Sequence, residues 1–217
     1  MQNDLEANEP ASAQTIGAWL DALASAAPTP GGGGAAALSV SVGAALVEMV
    51  CNLTIGKPAF GEHEQHARAV RDAARELRVG ALGLLDADAA AFGELMATYR
   101  LPKDSDEQRE YRLAAIRTAT VRAASVPLEI AATGAEVARL AAELPGRTNP
   151  NVLSDVGVAA SSAAAAIESA AINVEINLVS LKDDGERAPL AGRLAAYLAT
   201  AGQARQLVTD VRGEIGR

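Results

Sequence analysis

The chain has 217 residues, of which 49% are hydrophobic but only 3% aromatic, and it carries a formal net charge of −8 at pH 7. This length supports one domain with a substantial core, which alanine, leucine and valine must fill because aromatic side chains are scarce. The negative charge argues against nucleic acid or an anionic membrane as a partner, because both would repel this protein.

The abundance of small apolar side chains also indicates the fold class. Such side chains let helices approach closely, and no segment keeps the alternation of β-branched residues that marks a strand. We therefore predict an all-α fold, a multihelical bundle with long packed helices. Residues 1–12 are polar and are expected to form a disordered tail, and residues 13–217 a single helical domain without internal repeats.

Several features bear on the cellular compartment. No basic stretch precedes an apolar segment near Met1, so a signal peptide is not expected. The apolar runs 35–47 and 156–172 are short for a bilayer and are interrupted by charge, so we interpret both as helices buried in protein. The single cysteine, Cys51, excludes an intrachain disulfide and is interpreted as a core residue. These features predict a soluble, cytoplasmic protein.

The first helix is predicted from about Ser12 or Thr15 to Ala26, and the only tryptophan, Trp19, lies on its apolar stripe. The sequence Pro-Thr-Pro-Gly-Gly-Gly-Gly at 28–34 then leads into a second, apolar helix that begins at about Ala35. Unpaired N–H groups at a glycine-rich helix start suit an anion or the polar edge of a ligand. A tight connection between packed helices explains the glycines equally well, and no P-loop Gly-Lys-Ser/Thr follows.

The second helix is predicted to end at Gly56-Lys57-Pro58, and the third to run from Glu62 to about Tyr99. His63 and His66 open this third helix and are spaced so that both could face one metal ion. We interpret them as surface residues and predict no metal site, because no third ligand is nearby.

An acidic residue lies on the apolar stripe of the third helix. Helical spacing places five residues on one face: Ala81, Leu85, Asp88, Phe92 and Leu95. A carboxylate in such surroundings is costly unless it is paired or used in chemistry, which singles out Asp88. Asp86 lies to one side of the stripe, where an ordinary solvated aspartate is the simpler interpretation.

The fourth helix is predicted to start at Asp104–Glu107 and to be kinked or ended by Pro127, with a shorter helical piece from Leu128 to about Leu144. Its arginines are interpreted as a solvated face, although one or two could bind a carboxylated ligand.

The fifth helix is predicted from an N-cap at Ser154 to about Lys182, and the last helix from Ala188 to Ile215. Polar and very small residues recur on one face of the fifth helix: Asp155, Ala159, Ser162, Ala166, Ser169, Asn173 and Asn177. Such a stripe either faces a partner helix at close distance or lines a ligand cleft. We favour the cleft, because the amides of Asn173 and Asn177 need hydrogen-bond partners that alanine cannot supply.

A series of short motifs resembles a known family. They occur in this order: Pro28-Thr29-Pro30-Gly31-Gly32-Gly33, Met49-Val50, Leu53-Thr54-Ile55-Gly56-Lys57, Asp88–Phe92, Leu101-Pro102-Lys103, Val126-Pro127-Leu128, Asn151, Ser154–Ala159, Asn173–Asn177 and Lys182-Asp183. Together they resemble the formiminotetrahydrofolate cyclodeaminase / methenyltetrahydrofolate cyclohydrolase family from residue 15 to about 210. The loop Arg147-Thr148-Asn149 departs from the plain Gly-Asn of many relatives.

The resemblance implies an all-helical homodimer with a folate site in a cleft near the dimer interface, and no metal or redox cofactor beyond the tetrahydrofolate substrate. One branch of the family closes formiminotetrahydrofolate to 5,10-methenyltetrahydrofolate with loss of ammonia. The other hydrolyses 5,10-methenyltetrahydrofolate to 10-formyltetrahydrofolate. We place ring closure first and hydrolysis second; a folate-binding helical dimer without catalysis and a purely structural dimer are further alternatives.

The same resemblance suggests roles for individual residues. Both reactions need a base and an acid, and a buried carboxylate can serve as either. Asp88 is the principal candidate, Asp155 the next and Asp86 a weaker one. The pterin ring and the glutamate tail are expected to be held by amide, glycine and lysine residues: Gly31, Gly32, Gly33, Lys57, Lys103, Asn151, Asn173, Asn177 and Lys182.

Overall fold

The structure, a computed structural model, describes residues 10–216, and within that range it contains α-helices, short 3-10 turns and no β-strand. The predicted all-α class is therefore confirmed. The α-helices of the described residues are α1 (Ile16–Leu23), α2 (Gly32–Asn52), α3 (Glu64–Thr98), α4 (Asp106–Ala142), α5 (Leu153–Leu178) and α6 (Asp184–Ile215). Most of the predicted N-terminal tail, residues 1–9, lies outside the described residues, whereas Ala11–Ala13 form a 3-10 turn.

Helix α2 lies at the centre of the bundle, packed against α3, α5 and α4. It runs antiparallel to α5, since Gly32 lies beside Asn173 and Gly43 beside Ala159. It is antiparallel to α3 as well, because Glu48 near its end pairs with Arg75, well before the C-terminus of α3. This arrangement brings the start of α2, the second half of α3 and the end of α5 to the same end of the bundle.

The core consists mainly of alanine and valine, as the composition predicts. Small residues allow backbones to approach, and Gly134 and Gly43 are two examples of such close contacts between helices. A β-carbon at Gly134 would lie 3.0 Å from a side-chain carbon of Ile167, and one at Gly43 would lie 3.2 Å from the carbonyl oxygen of Ala159. A larger residue at either position would push two helices apart.

Polar residues at the helix starts explain several boundaries and correct others. Ser105 and Gln108 form a reciprocal capping box at the start of α4. Asp183 caps α6 by accepting from the backbone N–H of Gly185 at 2.8 Å, so this segment begins the last helix and the predicted start at Ala188 was late. The predicted N-cap at Ser154 was wrong, because α5 follows directly on a 3-10 turn and its N-cap is Val152.

The prediction that Pro127 kinks or ends the fourth helix, with a separate piece after it, was wrong about the ending. Helix α4 continues through Pro127 as one element of 37 residues. The neighbouring helices α3 and α5 pack along it and stabilise the turn in which the proline removes a hydrogen bond.

Two helical segments, Gly32–Asn52 and Pro150–Leu178, are long and apolar enough to cross a membrane by length and composition alone. In each, 56% of the apolar window is buried inside the bundle, which is the usual state of a core helix in a soluble protein.

Candidate active site

A cavity of about 380 Å³ opens at the end of the bundle where α2 starts and α5 ends. Its walls come from the α1–α2 connection, the second half of α3, the proline turn of α4 and the last two turns of α5. The residues that line it are Pro28, Thr29, Gly31, Gly32, Gly33, Asp88, Ala91, Phe92, Leu95, Met96, Tyr99, Ala123, Pro127, Asn173, Ile176, Asn177 and Ser180.

The glycine segment forms the first turn of a helix rather than a loop before it. Gly31 is the N-cap, and α2 begins at Gly32, three residues earlier than the predicted start at Ala35. The absence of side chains on this turn lets two polar residues approach the backbone. Asn173 lies against Gly32, with its amide nitrogen 3.4 Å from where a β-carbon would stand, and the Asp88 carboxylate lies against Gly33.

Asp88 is a half-buried carboxylate that faces the N-terminus of α2. Burial raises the pKa of this carboxyl above its usual range, and a hydrogen bond from the backbone N–H of Gly34 partly offsets the increase. That N–H belongs to the first turn of α2, where backbone donors have no partner within the helix. Asp88 is therefore held at a fixed place and can exchange a proton nearer to neutral pH than a solvated aspartate.

Asn173 and Asn177 occupy successive turns of α5 and line the same cavity as Asp88. The side-chain nitrogen of Asn173 donates to the carbonyl of Ser169 at 2.8 Å. The side-chain nitrogen of Asn177 donates to the carbonyls of Asn173 and Ala123, at 2.7 and 3.0 Å. Because backbone carbonyls hold both amide nitrogens, the side-chain oxygens are the atoms that can accept hydrogen bonds from a ligand.

Phe92 and Leu95, which were predicted to share the face of Asp88, both line the cavity, whereas the rest of its apolar wall was not predicted. Met96 and Tyr99 follow Asp88 on the same face of α3, and Ile176 lies one turn from Asn173 on α5. The i+4, i+8 and i+11 spacing from Asp88 was the available signal. These side chains give the cavity an apolar and aromatic surface beside its acceptors, which suits a flat heteroaromatic ligand.

The other two candidate carboxylates do not line this cavity. Asp86 precedes Asp88 by two residues, about 200° around the helix, and accepts a hydrogen bond from the hydroxyl of Ser12 at 2.5 Å. Asp155 lies 18 residues before Asn173 on α5, roughly 27 Å away along the helix axis. Their catalytic roles remain sequence-based predictions without support from this geometry.

The remaining candidate binding residues are distributed over other parts of the surface. Lys57 follows α2, at the end of the bundle opposite the cavity, and Asn151 lies in the 3-10 turn before α5, where its N–H donates to the Asn149 side chain at 3.1 Å. Lys103 is exposed in the α3–α4 connection. Lys182 lines a second depression of about 300 Å³ that shares Ser180 with the cavity.

The loop at 147–149, which departs from the family pattern, has a structural role. Asn149 is 7% exposed, and its backbone N–H donates to the hydroxyl of Thr54 at 3.1 Å, which fastens the α4–α5 connection to the end of α2.

His63 and His66 pair with Glu62 and Glu143 near the same end of the bundle. Among residues 10–216, no group of three or more histidine, cysteine or acidic side chains could hold a metal ion.

An all-α bundle with a half-buried carboxylate and two amides around an apolar cavity has the features of a small-molecule site that could support proton transfer. Comparison with known proteins identifies the family. Residues 15–196 match the family described as formiminotransferase-cyclodeaminase. The chain belongs to this family.

Individual relatives and a solved structure are similar to this chain over most of its length. The chain is 43% identical over 197 residues to methenyltetrahydrofolate cyclohydrolase from Methylorubrum extorquens, covering 91% of this chain and 95% of that protein. It is 32% identical to rat formimidoyltransferase-cyclodeaminase over 79% of this chain but only 32% of the relative's length. The crystal structure of formiminotetrahydrofolate cyclodeaminase from Thermotoga maritima superposes with a TM-score of 0.85 at 26% identity, covering 94% and 98% of the two chains.

Proposed function

We propose that this protein is a folate one-carbon enzyme that acts at the carbon bridging N5 and N10 of tetrahydrofolate. The observation that carries the proposal is the juxtaposition, in one cavity, of Asp88 with the acceptor-bearing side chains of Asn173 and Asn177. Among the described residues that line this cavity, Asp88 is the charged one, and neither lysine nor arginine is included. A cation rich in N–H donors fits such a lining, and 5,10-methenyltetrahydrofolate is a cationic amidinium on a pterin.

Hydrolysis of 5,10-methenyltetrahydrofolate, which the sequence alone placed second, becomes the first candidate reaction. It is supported by the 43% identity to the M. extorquens cyclohydrolase over nearly the whole of both chains. A water oxygen bonds to the methenyl carbon while Asp88 accepts a proton from that water. The bond from this carbon to N5 then breaks, N5 takes the proton from Asp88, and the second hydroxyl proton passes to solvent as the 10-formyl group forms.

Ring closure of 5-formiminotetrahydrofolate is the second candidate, and the vertebrate relatives and the T. maritima structure favour it. N10 bonds to the carbon of the protonated formimino group, an amidinium, and gives its proton to Asp88. Asp88 then transfers this proton to the amino nitrogen, the bond from the carbon to that nitrogen breaks, and ammonia leaves. The chain spans about a third of the length of the rat relative. The proposal therefore covers only the cyclodeaminase reaction in that relative's name. Both reactions pass through a tetrahedral carbon at the same place, so one carboxylate can serve either.

The proposed orientation of the folate follows from the chemistry of the cavity walls. The pterin edge, which carries N–H donors, meets the side-chain oxygens of Asn173 and Asn177, and the rings lie along Phe92 and Tyr99. Lys182 lies in the depression that adjoins the cavity at Ser180, so we assign it to the carboxylates of the glutamate tail. The bare backbone of Gly31–Gly33 makes room for Asp88 and Asn173 rather than binding an anion itself.

We further propose that the protein is a cytoplasmic homodimer, and that its reaction needs no metal or other cofactor and no nucleic acid or membrane partner. Support for the dimer is an apolar groove of about 670 Å³ between α2, α5 and α6, lined in part by Val42 and Val158, which are 48% and 51% exposed. Light scattering should give about twice the 22.1 kDa of one chain, and Val158→Glu should lower that mass.

Spectrophotometry of the purified protein separates the candidate functions, because methenyltetrahydrofolate absorbs in the near ultraviolet. Loss of this absorbance faster than in buffer supports hydrolysis, and its appearance from formiminotetrahydrofolate supports ring closure. Folate binding without either change would identify a non-catalytic folate-binding protein. Absence of binding, measured by fluorescence of the single Trp19 beside Gly34, would overturn the proposal.

A further inference from the structure

The carbonyl of Ala123 lies where α4 cannot provide it with a hydrogen bond. In an α-helix the N–H of each residue donates to the carbonyl four residues earlier, and the residue four positions after Ala123 is Pro127, which has no N–H. Ala123 is buried, at 9% exposure, and α4 continues through the proline. A buried backbone carbonyl in this position needs a donor from another element.

Asn177 provides this donor. Its side-chain nitrogen lies 3.0 Å from the oxygen of Ala123 and 2.7 Å from the oxygen of Asn173, so both of its N–H groups are directed at backbone carbonyls. Carbonyls only accept hydrogen bonds, so the amide can have only this orientation, with its oxygen left over. Ala123, Pro127 and Asn177 all line the candidate active site.

We propose that Pro127 is a positioning residue of the folate site, acting through Asn177. By withholding an N–H from Ala123, the proline reserves that carbonyl for the Asn177 amide and thereby fixes the amide oxygen for the pterin. Any other residue at 127 would supply a competing N–H along the helix axis. The ligand named here rests on the proposed function, whereas the hydrogen-bond relationship between Pro127 and Asn177 does not.

The hydrogen-bond relationship can be tested without any folate. In ¹⁵N-labelled protein the side-chain amide signals of Asn177, assigned by their loss in Asn177→Ala, should exchange slowly with solvent. Pro127→Ala and Pro127→Val both restore an N–H, and the valine largely keeps the side-chain volume. Both variants should shift the Asn177 signals and speed their exchange, while circular dichroism remains helical because a helix breaker has been removed. Unchanged signals in both variants would overturn the proposal.

The effect on the site is a separate measurement on the same proteins. Pro127→Ala and Pro127→Val should raise the KM for the folate about fivefold, the worth of a neutral hydrogen bond, with kcat within about twofold of wild type. Pro189→Ala, which removes the proline inside α6, is the matched control and should leave both parameters unchanged. The double variant Pro127→Ala/Asn177→Ala should bind no worse than Asn177→Ala alone, because the two residues act as one unit.

If the fold-increases in KM of the two single variants multiplied in the double variant, or if neither replacement at 127 changed KM, Pro127 would not act through Asn177. If the wild-type protein neither binds nor converts any folate, the proposed function fails, yet the amide-exchange experiment still decides whether Pro127 orients Asn177.

Discussion

The α-carbon of Gly33 lies directly beneath the carboxylate of Asp88, so close that a β-carbon on residue 33 would have all three carboxyl atoms within 2.5 Å. No side chain other than the hydrogen of glycine leaves room for this carboxylate at the start of α2. The position of Asp88 therefore depends on the glycine at position 33, although the two residues are 55 positions apart in the chain.

Replacing Gly33 with alanine should displace Asp88 and remove most of the activity. We expect kcat/KM to fall about 10²-fold or more, which is the usual contribution of a positioned acid or base. The matched control is Gly93→Ala on α3, where an added β-carbon meets nothing within 4 Å. Full activity in Gly33→Ala would mean that Asp88 does not need this position.

The variant Asp88→Asn tests the carboxylate itself. The amide keeps an oxygen that can accept from the Gly34 N–H, so the protein should fold, but it cannot take up the reaction's proton. We expect kcat to fall by about 10²- to 10⁴-fold with a much smaller change in KM. Asp72→Asn, an exposed aspartate on the same helix, serves as the control. Wild-type turnover in Asp88→Asn would remove Asp88 from the mechanism.

The raised pKa of Asp88 predicts opposite pH trends for activity and stability. As a base the carboxylate must be ionised, so kcat/KM should fall as the pH drops through a pKa above the usual value of about 4. Because the folded-state pKa exceeds the unfolded one, the stability contribution is fully present below the unfolded pKa and is lost as the pH rises through the folded value. Urea unfolding should accordingly show Asp88→Asn at least as stable as wild type at pH 7.

Lys182 is expected to bind the glutamate tail, and a direct comparison with Lys57 can test this. Lys182→Met should raise the KM for a glutamylated folate about two- to fivefold, the effect of a solvent-exposed ion pair. It should not change the KM for a folate analogue that lacks the glutamate. Lys57→Met, at the far end of α2, is expected to change neither value. If Lys57→Met raised the KM for the glutamylated folate and Lys182→Met did not, the glutamate tail would be assigned to Lys57 instead.

Glu48 joins α2 to α3 and should contribute to stability without affecting catalysis. Its carboxylate is 13% exposed and accepts from Arg75 and Arg78 at 2.9 and 3.0 Å. These hydrogen bonds and charges hold the pKa of Glu48 below its usual range despite burial, which opposes them. Because this pKa is lowered on folding, the stabilisation is present above the unfolded pKa and is lost as the pH falls through the folded value.

Glu48→Gln should therefore lower the free energy of unfolding by about 1 kcal/mol at pH 7, since the two arginines are partly exposed, and by less at pH 3. Denaturant unfolding at both pH values measures this difference, with Glu94→Gln, in the exposed pair with Arg122, as the comparison. An equal loss at both pH values would contradict the assignment.

Periodicity was enough to predict the helices and several of the residues that line the cavity. A 3.6-residue repeat specifies which side chains share a face, so Asp88 on an apolar stripe and Asn173 with Asn177 in successive turns could be recognised from spacing alone. Helix ends were less predictable. Of the two effects predicted for Pro127, a kink or an end of the helix, the end was wrong. Neighbouring helices stabilise α4 across the missing hydrogen bond, and this stabilisation is not encoded locally.

The sequence by itself determined the all-α class, the apolar faces and the family, because each is a property of residue types at fixed spacing. Only the tertiary structure decided which residues come into contact: it brings Asp88 against Gly33 and the Asn177 amide against the carbonyl of Ala123. It leaves Asp86, Asp155 and Lys57 outside the cavity. The physical reason is that antiparallel packing pairs the start of one helix with the end of another. Distance in the folded chain therefore depends on helix direction and length, and not on the local pattern that places a residue on a face.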